Sequence, residues 1–271
     1  MYDLVILGGG PGGLRAAELA AAAGMKTVLV EKDRLGGVCV NSGCIPTKAL
    51  YASIIGGKGP REGLWSRVES VVDKLRQGSA TSLRMAGVKY LRGTGRVTHW
   101  EGEKRVRVTK EDGSVEEISG TGLLLATGAR SVRPPFRGGD LPGILTGDRA
   151  ITEPSLWDPE RNSPVKTVAI LGAGVIAVEM ASLLQGLGKE VVLLKRSDQV
   201  LRRMDGDIKK KTVQILKKRG TVIKGHVRLR EASLKEGRLS LEGNAGDEPF
   251  AVGCDRLIIA SSMEPVLDGF G

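Results

Sequence analysis

Residues 4–13 read Leu-Val-Ile-Leu-Gly-Gly-Gly-Pro-Gly-Gly, four apolar residues running straight into a cluster of glycines. An Ala-rich helical segment follows from Leu14 to Ala23, closed by Gly24, and Thr27-Val28-Leu29-Val30 then reads as a second buried strand ending on Glu31. Strand, glycine turn, helix, strand and acid, in that order, make a βαβ unit of the dinucleotide-binding kind. Gly8 permits the tight turn, Gly10 lets backbone amides approach a pyrophosphate, and Gly13 lets helix and strand pack closely. The helix N-terminus adds partial positive charge for phosphates. Glu31 stands where a carboxylate accepts hydrogen bonds from ribose hydroxyls, with Lys32 beside it.

The pattern recurs. Residues 169–177 align with residues 5–13 at a constant offset of 164, so that Gly172, Gly174 and Ala177 stand for Gly8, Gly10 and Gly13. The offset persists: Gly24 matches Gly188, and Val28-Leu29-Val30 matches Val192-Leu193-Leu194. The fold class is therefore α/β with two Rossmann-like dinucleotide-binding domains, expected over 1–150 and 151–271. The boundary is expected in 152–164, which carries three prolines and several charges. The two units differ where the ribose is read, since Lys195 and Arg196 stand opposite Glu31 and Lys32. A carboxylate there favours a free 2′-hydroxyl, whereas cations suit a 2′-phosphate. With Arg202 shortly after, the second unit reads as an NADP site in preference to NAD, and the first as an FAD site.

Between the two units lies Gly36–Lys48, reading GGVCVNSGCIPTK. Cys39 and Cys44 form a close pair just downstream of the first glycine motif. In a cytosolic chain such a pair is catalytic or metal-binding more often than structural. A metal is not expected: there is no second cysteine pair, and His99 and His226 stand outside any ligand-spaced cluster. A reversible dithiol/disulfide beside a nucleotide cofactor is the reading. Cys254, alone in an apolar strand-like run, is expected to be a buried small hydrophobe.

Elsewhere the pattern predicts a loop over 56–63, an amphipathic helix from Trp65 to Arg84, and β-structure from Val88 to Val97. A hairpin is expected around Asp112-Gly113, between Val106–Val108 and Val115–Ile118. Leu123-Leu124-Leu125 is expected as a separate buried strand entering Ala126-Thr127-Gly128. No run approaches the eighteen apolar residues that span a bilayer, and the chain opens directly on a strand, so a cytoplasmic protein without a membrane partner is expected. The net charge of +10 is concentrated between Lys195 and Arg230. In 208–219 apolar positions are interspersed among the lysines as on a surface helix, with no nucleic-acid motif, so a solvated basic face is expected and nucleic acid is not.

With these motifs in order and spacing, together with Leu125-Ala126-Thr127-Gly128, the chain resembles the pyridine nucleotide-disulfide oxidoreductases. That flavin-dependent family includes dihydrolipoamide dehydrogenase, glutathione reductase and mercuric reductase. The resemblance implies FAD in the first domain, with Gly37, Thr127 and Gly128 joining its site, and NADP or NAD in the second. It implies that Cys44 lies against the flavin and that Cys39 exchanges with a small or protein-bound disulfide substrate. It further implies that Lys48 sits near flavin N5, paired with Glu179. The string around the cysteines, and Val175 where glutathione reductases place a Tyr, resemble the dihydrolipoamide branch and suggest a lipoyl substrate. Ala177-Val178-Glu179-Met180, with Arg196 and Arg202, resembles the NADPH site of glutathione reductases. Complete family members are homodimers. They return to finish the flavin domain and add a dimerisation domain carrying a His-Glu pair. Neither His99 nor His226 lies in a matching motif, and Ser262-Met263-Glu264-Pro265-Val266 alters the usual Gly-Arg-x-Pro-Asn.

Overall fold

In the computed structural model, which describes residues 1–57, 62–158 and 165–268, the opening apolar run is strand β1 (Tyr2–Leu7) and the glycine cluster opens helix α1 (Pro11–Ala22). Pro11 takes the first helical position, where its missing N–H removes no intrahelical bond. Strand β2 (Thr27–Glu31) lies parallel to β1, Val5 opposite Val28. The chain forms two compact units, each assembled from separate stretches: Met1–Pro46, Glu69–Arg130 and Glu264–Gly271 in the first, Thr47–Val68 and Ser131–Met263 in the second.

The first unit contains helix α2 (Gly37–Ser42), the start of α3 (Cys44–Ile54) and most of α4 (Leu64–Met85). Its sheet also takes in β3 (Lys89–Arg92), β4 (Thr94–His99), β5 (Lys104–Thr109) and β6 (Val115–Leu125), in the order β3-β2-β1-β6-β5-β4. The first four strands are parallel, and β5 and β4 join antiparallel. The two-residue side-chain period of a strand divides the core. Val5, Leu7, Val28 and Val30 pack on one face with Val106, Val108 and Ile118. Ile6 and Leu29 pack on the other with Ala17 of α1 and Leu83 of α4.

The expected hairpin turns at Lys110–Ser114, where Asp112 accepts the Ser114 N–H at 2.9 Å. One expectation needs correction. Residues 115–118 and 123–125 belong to a single eleven-residue strand, and its end is not buried. Strand β5 pairs with β6 only as far as Gly120. Beyond it, among the described residues, β6 pairs with β1 alone, and Leu124 and Leu125 are each 37% exposed.

The second unit repeats the scheme. After β7 (Ala129–Ser131), β8 (Ile144–Thr146), α5 (Gly147–Ile151) and α6 (Pro154–Trp157) come β9 (Thr167–Leu171), α7 (Val175–Gly186), β10 (Glu190–Leu194), α8 (Gly206–Lys218) and β11 (Val222–Lys224). An antiparallel meander of β12 (Val227–Lys235), β13 (Arg238–Ala245) and β14 (Glu248–Cys254) precedes β15 (Arg256–Ile259) and β16 (Met263–Pro265). The parallel sheet runs β11-β10-β9-β15-β8. Strands β7 and β16 pair with each other, and apart from Ser131 and Met263 their residues belong to the first unit.

Where a boundary was expected, residues 152–158 lie inside the second unit. Trp157 is fully buried, its Nε1–H donating to the Ala150 carbonyl at 2.7 Å, while 159–164 fall outside the described residues. Of the expected loop 56–63, residues 58–61 do likewise. Leu50, Leu64, Trp65 and Val68 pack with Ile170, Leu183 and Leu193 in this unit's core.

Candidate functional site

The first glycine turn is held by close backbone contacts. Gly8 has φ +112°, and a Cβ there would lie 2.1 Å from the Ala126 carbonyl oxygen; a Cβ on Gly13 would lie 1.9 Å from the Gly8 oxygen. No side chain caps α1, so the first-turn amides beyond Gly10 stay open to an anion such as a pyrophosphate. Glu31 ends β2 with its carboxylate engaged: Oε2 accepts the Gly9 N–H at 2.6 Å and Oε1 accepts the Asp33 N–H at 2.8 Å. The acid therefore braces the glycine turn, and its remaining lone pairs are available to hydroxyl donors. Exposed Lys32 lines a recess of about 320 Å³ with Gly93, Thr94, Arg96, Thr109, Lys110 and Glu111. Thr127 donates its hydroxyl to the Val266 carbonyl at 2.6 Å, and the Val266 N–H donates to the Gly128 carbonyl at 3.0 Å. Both residues thus tie the segment after β16 to the end of the first sheet.

The cysteine-bearing turn is built onto that phosphate turn. Helix α2 opens through Gly36 and Gly37, at φ +99° and +56°, a region only glycine enters without strain. The Gly36 N–H donates to the Gly9 carbonyl at 2.8 Å, and a Cβ on Gly37 would stand 2.8 Å from Gly10 Cα. Cys39 sits half-buried on α2, and Cys44, exposed, is the first residue of α3. Gly43 separates the two helices in a non-helical conformation. Between the cysteines, Asn41 donates through Nδ2 to the carbonyls of Arg34, Leu35 and Gly37 at 3.3, 3.1 and 2.8 Å. Arg76 of α4 donates through Nε to Asn41 Oδ1 at 2.6 Å, and is itself held by Asp73 at 2.7 Å. Neither Asn41 nor Arg76 was singled out in the sequence.

In the second unit, Lys48 of α3 donates to Glu179 Oε1 of α7 at 2.7 Å. Their side chains are 60% and 30% exposed. Gly172, at φ +142°, repeats the constraint of Gly8, with a built Cβ 2.2 Å from the Ala260 oxygen. Helix α7 also lacks a side-chain cap beyond Gly174, and Ala177 is fully buried against the sheet where Gly13 stands in the first unit. After β10 the three predicted cations part company. Lys195 folds its ammonium onto the Ser197 carbonyl at 2.9 Å, and burial pushes its pKa down. Arg196 and Arg202 are exposed, and neither has an ion-pair partner among the described residues. Leu201 adopts φ +52° and donates its N–H to the Ala173 carbonyl at 2.8 Å, which fastens the Arg202 loop to the second glycine turn. No cluster of three metal-capable side chains occurs among the described residues.

The chemistry these parts supply is a pair of thiols beside one phosphate-binding turn, a Lys–Glu pair, and a second phosphate-binding turn with two open guanidiniums. Residues 2–270 match the family model described as pyridine nucleotide-disulphide oxidoreductase. The chain is 32% identical to the mitochondrial dihydrolipoyl dehydrogenase of Caenorhabditis elegans, covering 99% of this chain and 56% of that protein. It is also 32% identical to the glutathione reductase of Burkholderia cepacia, covering 100% and 59%. The structure of the HOCl-induced flavoprotein disulfide reductase RclA of Escherichia coli, in its Cu(II) complex, superposes with a TM-score of 0.86 at 27% identity, over 99% of this chain and 58% of that one. The chain thus spans little more than half the length of the relatives it matches.

Proposed function

Because the chain belongs to the pyridine nucleotide-disulphide oxidoreductase family, whose cofactors are FAD and NAD(P), we propose that it passes an electron pair between a disulfide or dithiol substrate, the Cys39–Cys44 pair, FAD and a pyridine nucleotide. The observation that carries this reading is the bond from the Gly36 N–H to the Gly9 carbonyl, which builds the cysteine turn onto the phosphate turn. In the reductive direction the Cys39 thiolate attacks one sulfur of the substrate disulfide and expels the other as a thiolate. Cys44 then attacks the Cys39 sulfur of the mixed disulfide, releasing the second substrate thiol and leaving Cys39–Cys44 oxidised. Bound FAD supplies the two-electron exchange between the pyridine nucleotide and this pair. The uncapped first-turn amides of α1 and the Glu31 carboxylate would hold its pyrophosphate and ribose. The family resemblance assigns the ammonium of the Lys48–Glu179 pair to the reacting end of the cofactor.

The substrate class we assign is a lipoyl dithiol, supported by the Gly36–Lys48 string and by the dihydrolipoyl dehydrogenase relative. A second reading, an NADPH-dependent glutathione or other disulfide or mercuric reductase, is favoured by the open Arg196 and Arg202 and by the glutathione reductase relative. The working form we assign is a cytoplasmic homodimer; no helix among the described residues is long and apolar enough to cross a membrane. The test is turnover of the FAD-loaded chain with dihydrolipoamide and NADP or NAD, set against glutathione disulfide and NADPH. Flavin-dependent turnover of dihydrolipoamide, abolished by Cys39→Ser, is expected. Turnover of glutathione disulfide alone would replace the lipoyl assignment, and disulfide exchange unaffected by Cys39→Ser would overturn the reading.

A further inference from the structure

Helix α4 carries an arginine where its own pattern calls for an apolar residue. Trp65, Val68, Val72 and Leu83 are all at most 9% exposed and stand three, four and eleven residues apart, on one face of the helix as the buried stripe of an amphipathic helix does. Arg76 falls on that stripe, one turn beyond Val72 and seven residues before Leu83. Its side chain is only 22% exposed, and placing a guanidinium there costs solvation unless its donors are used. They are used on two acceptors: Nε donates to Asn41 Oδ1 at 2.6 Å while Asp73, one turn back, takes a terminal nitrogen at 2.7 Å. Arginine only donates, so this contact fixes which end of the Asn41 amide faces it and turns Nδ2 toward the carbonyls of Arg34, Leu35 and Gly37.

We propose that Asp73, Arg76 and Asn41 form a clamp that positions the redox turn, with Arg76 acting through Asn41 on the approach of Cys39 to Cys44. This rests on the dithiol reading above. Asn41 lies between the two cysteines, and its three carbonyl contacts hold the chain from Arg34 to Gly37, the entry to α2. A disulfide closed between two held thiols gains from their high effective concentration, and that gain falls when the connecting turn is loosened. The clamp therefore stabilises the disulfide relative to the dithiol, and Arg76 tunes the redox equilibrium from a helix outside the cysteine string.

The test is the equilibrium of the Cys39–Cys44 pair in glutathione redox buffers, read by alkylation and mass on the full chain. Arg76→Leu, which matches the apolar stripe, should make the disulfide about tenfold easier to reduce, ~30 mV for a two-electron couple. Arg76→Lys, which keeps the charge but not the planar fork, should fall between it and the unmodified protein. The effects of Arg76→Leu and Asn41→Ala should be non-additive, as for members of one network. Lys74→Leu, an exposed position on the same helix, should leave the equilibrium unchanged. A shift below twofold in both Arg76→Lys and Asn41→Ala, or a disulfide made harder to reduce, would overturn the clamp while leaving the dithiol reading intact. A protein in which Cys39 and Cys44 never interconvert with a disulfide would overturn both.

Discussion

Lys48 and Glu179 show how magnitude separates structural from chemical roles. An ion pair this exposed contributes no more than about 1 kcal/mol to stability, so its removal should barely move the melting temperature. Glu179→Gln is expected to slow reduction of bound flavin by NADPH at least tenfold while thermal unfolding shifts by less than about 3 °C; stopped-flow absorbance and calorimetry check the two halves. The three cations after β10 divide in a related way. Lys195 is occupied by the Ser197 carbonyl, so Arg196→Ala with Arg202→Ala should erase a preference for NADPH over NADH, and Lys195→Met should not. Steady-state kcat/KM with both nucleotides decides it. At this scale the sequence was readable to the residue for Gly8 and Gly172, because each sits at a positive φ with a carbonyl where a Cβ would be. It was not readable for Lys195, because a four-carbon stem reaches a carbonyl that no spacing rule names. Cys254 was legible too: burial pushes its thiol up to about 12, so it should resist alkylating reagents that modify Cys44.

At the scale of elements, the βαβ units could be read almost strand by strand, since β1, β2 and β9 are continuous apolar runs, buried on both faces and set off by glycine turns, as parallel strands are. What escaped was pairing at the ends of elements. The continuous β6 could not be read from Val115–Ile118 and Leu123–Leu125, because Ser119, Gly120, Thr121 and Gly122 between them look like a break, whereas Gly120 and Gly122 pair with Tyr2 and Leu4. The joint between β14, β15 and β9 was equally hidden. Asp255 accepts the N–H groups of Lys166 and Thr167 at 2.7 and 2.8 Å and Arg238 Nε at 3.0 Å. Burial pushes its pKa up, but the two amides and the guanidinium outweigh that and hold the carboxyl below its ordinary value. A depressed folded pKa stabilises fully above the unfolded value, near pH 4, and the contribution fades as pH falls through the folded one. Asp255→Asn should therefore cost about 1–3 kcal/mol at neutral pH. It should also flatten the loss of stability below about pH 4, measured by urea unfolding across that range.

For the whole molecule, the doubled α/β plan follows from the 164-residue offset, and the two glycines related by it, Gly8 and Gly172, meet equivalent carbonyls. The interleaving of the units could not be read locally, because Leu50, Leu64 and Trp65 carry no mark of the unit whose core they join. The surface does carry one liability. Among the described residues β6 has no strand on the β5 side beyond Gly120, and the exposed Leu124 and Leu125 lie in that stretch, the kind of edge that pairs with other chains. Leu124→Lys with Leu125→Lys should lower concentration-dependent self-association, read by light scattering after gel filtration. An unchanged oligomer distribution would mean that another surface drives it.

We propose one electron path that joins nucleotide, flavin and the Cys39–Cys44 pair. Its most direct measurement is anaerobic addition of NADPH to the FAD-loaded, oxidised chain, following flavin absorbance and then alkylating the thiols. Loss of oxidised-flavin absorbance together with new alkylation at Cys39 and Cys44 is expected, and no exchangeable pair in Cys39→Ser. Flavin reduction that leaves both cysteines unmodified, or a chain that holds no FAD, would contradict it.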